Sequence, residues 1–149
     1  MMMTWLLAIL LLSPAAPCEA AFCRCRPISQ EEAAAQADAI FTATVVSVRD
    51  LPPAEPGGPG LGHEARMRVH AAWKGVESPE VVLHGGVTSC RFELRPGDRY
   101  LIYGSVDSTG AFHAGYCTGS RRTEPGAENV DALGPPARTW PELGAAAAR

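Results

Sequence analysis

The stretch Ala65-Arg66-Met67-Arg68-Val69-His70-Ala71-Ala72-Trp73 decides how this chain folds. Ala65, Met67, Val69, Ala71 and Trp73 alternate with Arg66, Arg68, His70 and Ala72, the period-two pattern of a strand that buries one face. Lys74-Gly75 ends it. On its N-terminal side, Leu51 to Gly62 holds four Pro and four Gly, too many for the interior of any element, so that segment reads as a surface loop. Before the loop, Ala39-Ile40-Phe41-Thr42-Ala43-Thr44-Val45-Val46-Ser47-Val48 is rich in β-branched residues and reads as a strand ending at Asp50. Still earlier, Ser29-Gln30-Glu31-Glu32 has the spacing of a capping box and predicts a helix over about Gln30 to Ala37.

On the C-terminal side the same reading continues with short elements. Glu80 to Leu83 is a third strand, and Arg91 to Leu94 is strand-like. Arg95-Pro96-Gly97-Asp98 places Pro and Gly in the central positions of a type II turn. Arg99-Tyr100-Leu101-Ile102-Tyr103 reads as a buried strand, Asp107-Ser108-Thr109-Gly110 as a turn, and Ala111 to Tyr116 as the closing strand. About five strands with one early helix indicate a mainly β domain, a small barrel or sandwich rather than a parallel α/β fold. From Thr123 onward Pro and Ala dominate, so residues 123–149 are expected to form a tail with room for a short helix near Ala127 to Leu133 and no structure in its last dozen residues.

The 149 residues, 46% hydrophobic and 19% charged, suffice for one compact domain. Thirteen Lys and Arg against sixteen Asp and Glu give a net charge of -3, which argues against a nucleic-acid partner. Met1 to Leu12 is an apolar run followed by Ser13-Pro14-Ala15-Ala16-Pro17 and Cys18-Glu19-Ala20, which reads as a secretory signal peptide over residues 1–20, with cleavage after Ala20 favoured over Ala16. It lacks the usual basic residue ahead of the apolar run, and that run is too short to span a bilayer. A lipid anchor on Cys18 would require a small residue where Pro17 stands. The expectation is therefore a protein that is secreted or held in the cell envelope, with no stable membrane insertion once the signal is removed.

Of five Cys, Cys18 falls in the segment to be removed, leaving Cys23, Cys25, Cys90 and Cys117. An even number in an exported domain points to disulfides, with three possible connectivities. Zinc ligation is the alternative, but paired CxxC spacing is missing and an oxidising compartment does not keep thiols reduced. Cys23 and Cys25 are two apart and point to one side of an extended segment. A bond between them would close a small ring of poor geometry, so each should reach Cys90 or Cys117. Among other chemistry-bearing residues, His63 reads as a loop residue and His70 as one on the exposed face of its strand, with His84 and His113 read as surface histidines. No nucleophile elbow, phosphate loop or HExxH segment is present, and Gly119-Ser120 lacks the strand-turn-helix context of a nucleophile, so nothing argues for an enzyme or a cofactor.

Taken in order, Cys23-Arg24-Cys25-Arg26-Pro27, a helix ending at Ala37-Asp38, a strand ending Val46-Ser47-Val48, Trp73-Lys74-Gly75, Ser89-Cys90, Tyr100-Leu101-Ile102 and Cys117 resemble the N-terminal domain of the tissue inhibitors of metalloproteinases, part of the netrin-module group. The resemblance runs from about Cys23 to Cys117. It implies an OB-type five-stranded barrel with a flanking helix over residues 21–122, and pairs Cys23 with Cys90 and Cys25 with Cys117. It also implies a zinc metalloproteinase as partner, contacted by Cys23, Arg24, Cys25, Thr88, Ser89 and Cys90. In that reading the α-amine and carbonyl of an N-terminal Cys23 would ligate the target's zinc, and Arg24 would enter its specificity pocket. Three features differ from the family: Ala35 stands where a further Cys is usual, the Pro/Ala-rich tail stands in place of a second domain, and Phe22 precedes Cys23, which those inhibitors have as their first residue. The competing expectation is an OB module that binds a protein or glycan without zinc chemistry.

Overall fold

The computed structural model describes residues 24–58, 60–86, 92–115 and 117–141. One helix, α1 (Gln30–Gln36), precedes strands β1 (Ala39–Leu51), β2 (Gly62–Lys74), β3 (Glu80–Gly85), β4 (Arg99–Val106), β5 (Phe112–His113), β6 (Arg121–Thr123) and β7 (Arg138–Thr139). Neighbours run β1-β2-β3-β5-β4-β6, and β1 also pairs with β4, so the first five strands close into a barrel. All pairings are antiparallel except β3 with β5. The protein is mainly β and OB-like in its closure.

Alternation along the strands fills the interior. Ala39, Phe41, Ala43 and Val45 face Ala65, Met67, Val69 and Ala72 across the β1–β2 hairpin, with Leu83, Tyr100 and Ile102 completing the layer. A five-stranded barrel is narrow, which is why alanines alternate with larger side chains there. A second cluster lies outside the barrel wall: Ile40, Leu101 and Tyr103 are covered by Ala33 and Ala37 of the α1 region, with Ile28, Trp73, Val130 and Leu133 packed against them. The capping expectation holds in part, since Ser29 Oγ accepts from the Glu32 amide at 3.1 Å, while the Glu32 carboxylate accepts from Arg26 and Gln36. The turn at Arg95 to Asp98 forms as read, with Gly97 at φ 88 and the Asp98 amide donating to the Arg95 carbonyl at 3.1 Å.

Several sequence expectations are corrected. Ala71 and Trp73 do not face the core: the β1–β2 register slips between Thr42↔Ala71 and Ala43↔Val69, leaving His70 as an extra residue. This bulge reverses the phase of the strand, so Ala72 is buried in the barrel and Trp73 packs on the outside, its indole N–H donating to the Gly134 carbonyl at 2.8 Å. Residues 92–95 are not a strand. Phe92 and Leu94 are instead buried in the barrel core, Phe92 edge-on to Tyr100, whose hydroxyl donates to the Glu93 carbonyl and accepts from the Arg95 amide, both at 3.2 Å. The closing strand is shortened to Phe112–His113, which suffices to join β3 to β4. Residues 123–141, the described part of the tail, pack on the barrel. Thr123 ends β6, the expected helix contracts to a 3-10 turn at Asp131–Leu133, Arg138 and Thr139 pair with Ala72 and Ala71, and Trp140 packs against the core.

Candidate functional site

The N-terminal segment is built from the helix outward. Ile28 packs into the outer cluster and Arg26 pairs with Glu32, so the chain leaves α1 held against the barrel wall. Three residues before Ile28, Cys25 is bonded to Cys117 with Cα atoms 5.2 Å apart, and Arg24 is exposed. Cys117 sits in a tight connection whose hydrogen bonds fix its position: Thr118 Oγ1 donates to the Gly115 carbonyl at 2.9 Å, and Ser120 Oγ accepts from the Tyr103 amide at 2.8 Å while donating to the Tyr103 carbonyl at 3.2 Å. Ser120, 8% exposed, thus ties this connection to β4. Gly119 has φ 88 and lies so near α1 that a Cβ there would stand 3.0 Å from the Ala33 Cβ, which favours glycine on both counts. A crevice of about 150 Å³ between α1 and β4 opens beside the bridge.

Of the protease-contacting residues expected from the resemblance, Arg24 and Cys25 are brought to this edge beside Cys117. Cys23, Thr88, Ser89 and Cys90 lie outside the described residues, as does the expected Cys23–Cys90 bridge.

Two of the four histidines occupy positions that the sequence did not foretell. His63 is the second residue of β2, 1% exposed, rather than lying in a loop. His70, displaced by the bulge, is half-buried and shares a 2.8 Å hydrogen bond between its Nε2 and Thr44 Oγ1. His84 and His113 are register partners across β3–β5, with rings 5.4 Å apart. Asp107 Oδ2 lies 2.7 Å from His113 Nε2, and Glu64 Oε1 lies 3.8 Å from His84 Nδ1. The Asp107 carboxyl is held well below the usual carboxylate range, first by the Thr109 hydroxyl and then by His113 and the amides of Thr109 and Ala111. Glu64 is lowered chiefly by its bond from Arg49, and burial raises Tyr100. Among the described residues no group of three or more His, Cys, Asp and Glu is arranged to hold a metal ion.

At the other end of β4 from the bridge, a cavity of about 420 Å³ opens on the outer face of the sheet. Its walls include Thr44 from β1, Arg68 and His70 from β2, Arg99 from β4, and Arg122 and Thr123 from β6. Arg99 pairs with Glu128 at 2.8 Å and Arg122 with Asp98 at 3.1 Å. Sequence reading missed this site, although the alternating Arg66, Arg68 and His70 were its visible trace.

The class defined by these features is a closed, OB-like β-barrel with its N-terminal segment pinned by a disulfide. Neither protein-family models nor curated protein sequences yield a match to the chain. Among the described residues no helix is long and apolar enough to cross a membrane.

Proposed function

We propose that this protein is an exported, metalloproteinase-inhibitor-like module that blocks a zinc endopeptidase with its Cys23-Arg24-Cys25 segment. The observation that carries this reading is the Cys25–Cys117 bridge, which fixes the segment at the barrel edge and leaves Arg24 exposed. A structural disulfide also fits an oxidising compartment outside the cytosol. Preorganisation of that kind lowers the entropy lost on docking. A catalytic zinc keeps one position open, and a terminal α-amine, with a pKa of about 7.7 to 8.0, is partly neutral at pH 7 and able to occupy it.

The test compares two lengths of the protein, one starting at Cys23 and one retaining Ala21-Phe22, titrated against a panel of zinc endopeptidases. The shorter form should inhibit and the longer should not, because the nitrogen of Cys23 is then a peptide amide without an available lone pair. Replacing Arg24 by Ala should widen the range of proteases inhibited, by removing a charge that apolar pockets exclude. Strong inhibition by the longer form would overturn the α-amine mechanism. Inactivity of every form would leave a non-inhibitory binding module, the reading favoured by the cavity on the outer face.

A further inference from the structure

We propose that the outer-face cavity between β1, β2, β4 and β6 binds a small molecule carrying a tetrahedral oxyanion, a phosphate or sulfate monoester of about sugar size. The site does not depend on the inhibitor reading, since Arg24 and Cys25 lie toward the opposite end of β4. Its volume of about 420 Å³ falls within the range of about 300 to 1,000 Å³ usual for small-molecule sites.

Charge selects the ligand. Arg68, Arg99 and Arg122 line the cavity against two carboxylates, Asp98 and Glu124. Both of those carboxylates face Arg122, at 3.1 and 3.9 Å, and Arg99 is held by Glu128. Arg68 has no carboxylate partner among the described residues. Glu80, opposite it in the β2–β3 ladder, pairs instead with Arg66 at 3.3 Å. A cation would be repelled by this unpaired guanidinium, whereas an oxyanion neutralises it and can accept from its planar fork.

A second observation belongs to the same wall. Thr123 is 8% exposed, lines the cavity, and its buried Oγ1 has no hydrogen-bond partner among the described residues. A buried hydroxyl without a partner is costly, and a ligand oxygen that reaches it with a small adjustment of the wall relieves that cost. Arg99 and Arg122, already positioned by carboxylates, lose little side-chain freedom on binding. The bulge supplies the remaining wall, because the extra residue His70 turns toward Thr44 instead of following the ladder.

The experiment is isothermal titration of the full disulfide-bonded protein with inorganic phosphate, inorganic sulfate, glucose 6-phosphate and glucose, each at ionic strength matched with sodium chloride. Phosphate, sulfate and glucose 6-phosphate should bind saturably, glucose 6-phosphate most tightly, and glucose and chloride should not bind. Arg68→Gln should weaken glucose 6-phosphate binding about tenfold or more, the loss expected for a hydrogen bond to a charged group. Arg68→Lys should recover part of that loss, and Thr123→Val should weaken binding several-fold. Far-UV circular dichroism and thermal melting establish that each variant is folded, and the exposed-side variants at Arg68 carry the test should Thr123→Val fail to fold. Equal heats with chloride, or unchanged affinity in Arg68→Gln, would overturn the site. Binding of the inorganic ions with no gain for the ester would overturn the sugar-sized ligand.

Discussion

The β1–β2 hairpin and the β3–β5 seam are both needed to close the barrel, yet they are held in different ways. The hairpin pairs from Ile40↔Lys74 to Leu51↔Gly62, two long strands that meet through a connection of ten residues, 52–61. The seam pairs only Leu83↔Phe112 and His84↔His113, in parallel. A ladder so short contributes little by itself, so the seam relies on what stands around it. Phe112 packs edge-on against Phe41 inside the wall, with ring centroids 6.2 Å apart. Outside, Asp107 anchors both His113 and the turn that delivers it, accepting from the Thr109 amide at 2.8 Å and the Ala111 amide at 3.1 Å. Long local pairing secures the hairpin, whereas a few side chains secure the closure.

That contrast can be broken most directly at Phe41, which is fully buried and belongs to the hairpin while supporting the seam. Phe41→Ala should cost about 3 to 5 kcal/mol, the usual range for a buried phenylalanine. The loss, read by guanidinium unfolding with tryptophan fluorescence, should be accompanied by faster amide exchange at Phe112 and His113 than along β1 and β2. Uniform exchange across both regions would show that the seam is no weaker than the hairpin.

A smaller, pH-dependent effect is expected at Asp107. Its folded pKa is depressed, so the folded state takes up a proton less readily than the unfolded chain, whose Asp has a pKa of about 3.9. The contribution is therefore present above that value and is lost as pH falls toward the folded pKa. Asp107→Asn should be less stable than the wild type at pH 5, and the gap should narrow below about pH 4. A gap that stays constant to pH 2 would remove the carboxylate from the account of the seam.

The hairpin offers the smallest effect. Shortening the 52–61 connection to about half its length should change stability by no more than about 0.6 kcal/mol, since closure entropy varies only slowly with loop length. A thermal melt in which the shortened protein unfolds several degrees lower would mean that this loop, and not the ladder alone, supports the hairpin.

Much of the barrel was legible because alternation is local. Ala65, Met67 and Val69 announce an inward face within one strand, as do Phe41, Ala43 and Val45 in the other, and Ser29 announces α1 through its reach to Glu32. Phe92 and Leu94 looked like a strand because apolar alternation is the same whether a segment joins a ladder or closes a barrel end. The Cys25 end of the site was legible through the Cys spacing, with the Cys25–Cys117 pairing as the resemblance implied. The outer cavity was not, because it joins Thr44, Arg68, Arg99 and Thr123 from four strands.

By itself the sequence determined a small β domain with a capped early helix, a Pro/Gly-rich hairpin connection and cysteines placed to staple its N-terminal segment, since each of these depends on neighbours in the chain. Only the tertiary structure decided the phase of β2 beyond Val69, the packing of Trp140 against the core and the convergence of three arginines on one cavity. The reason is the register between β1 and β2: an extra residue at His70 moves Ala71 and Ala72 to the faces opposite those of simple alternation, and a second irregularity follows at Trp73. That register belongs to the pair of strands rather than to either one.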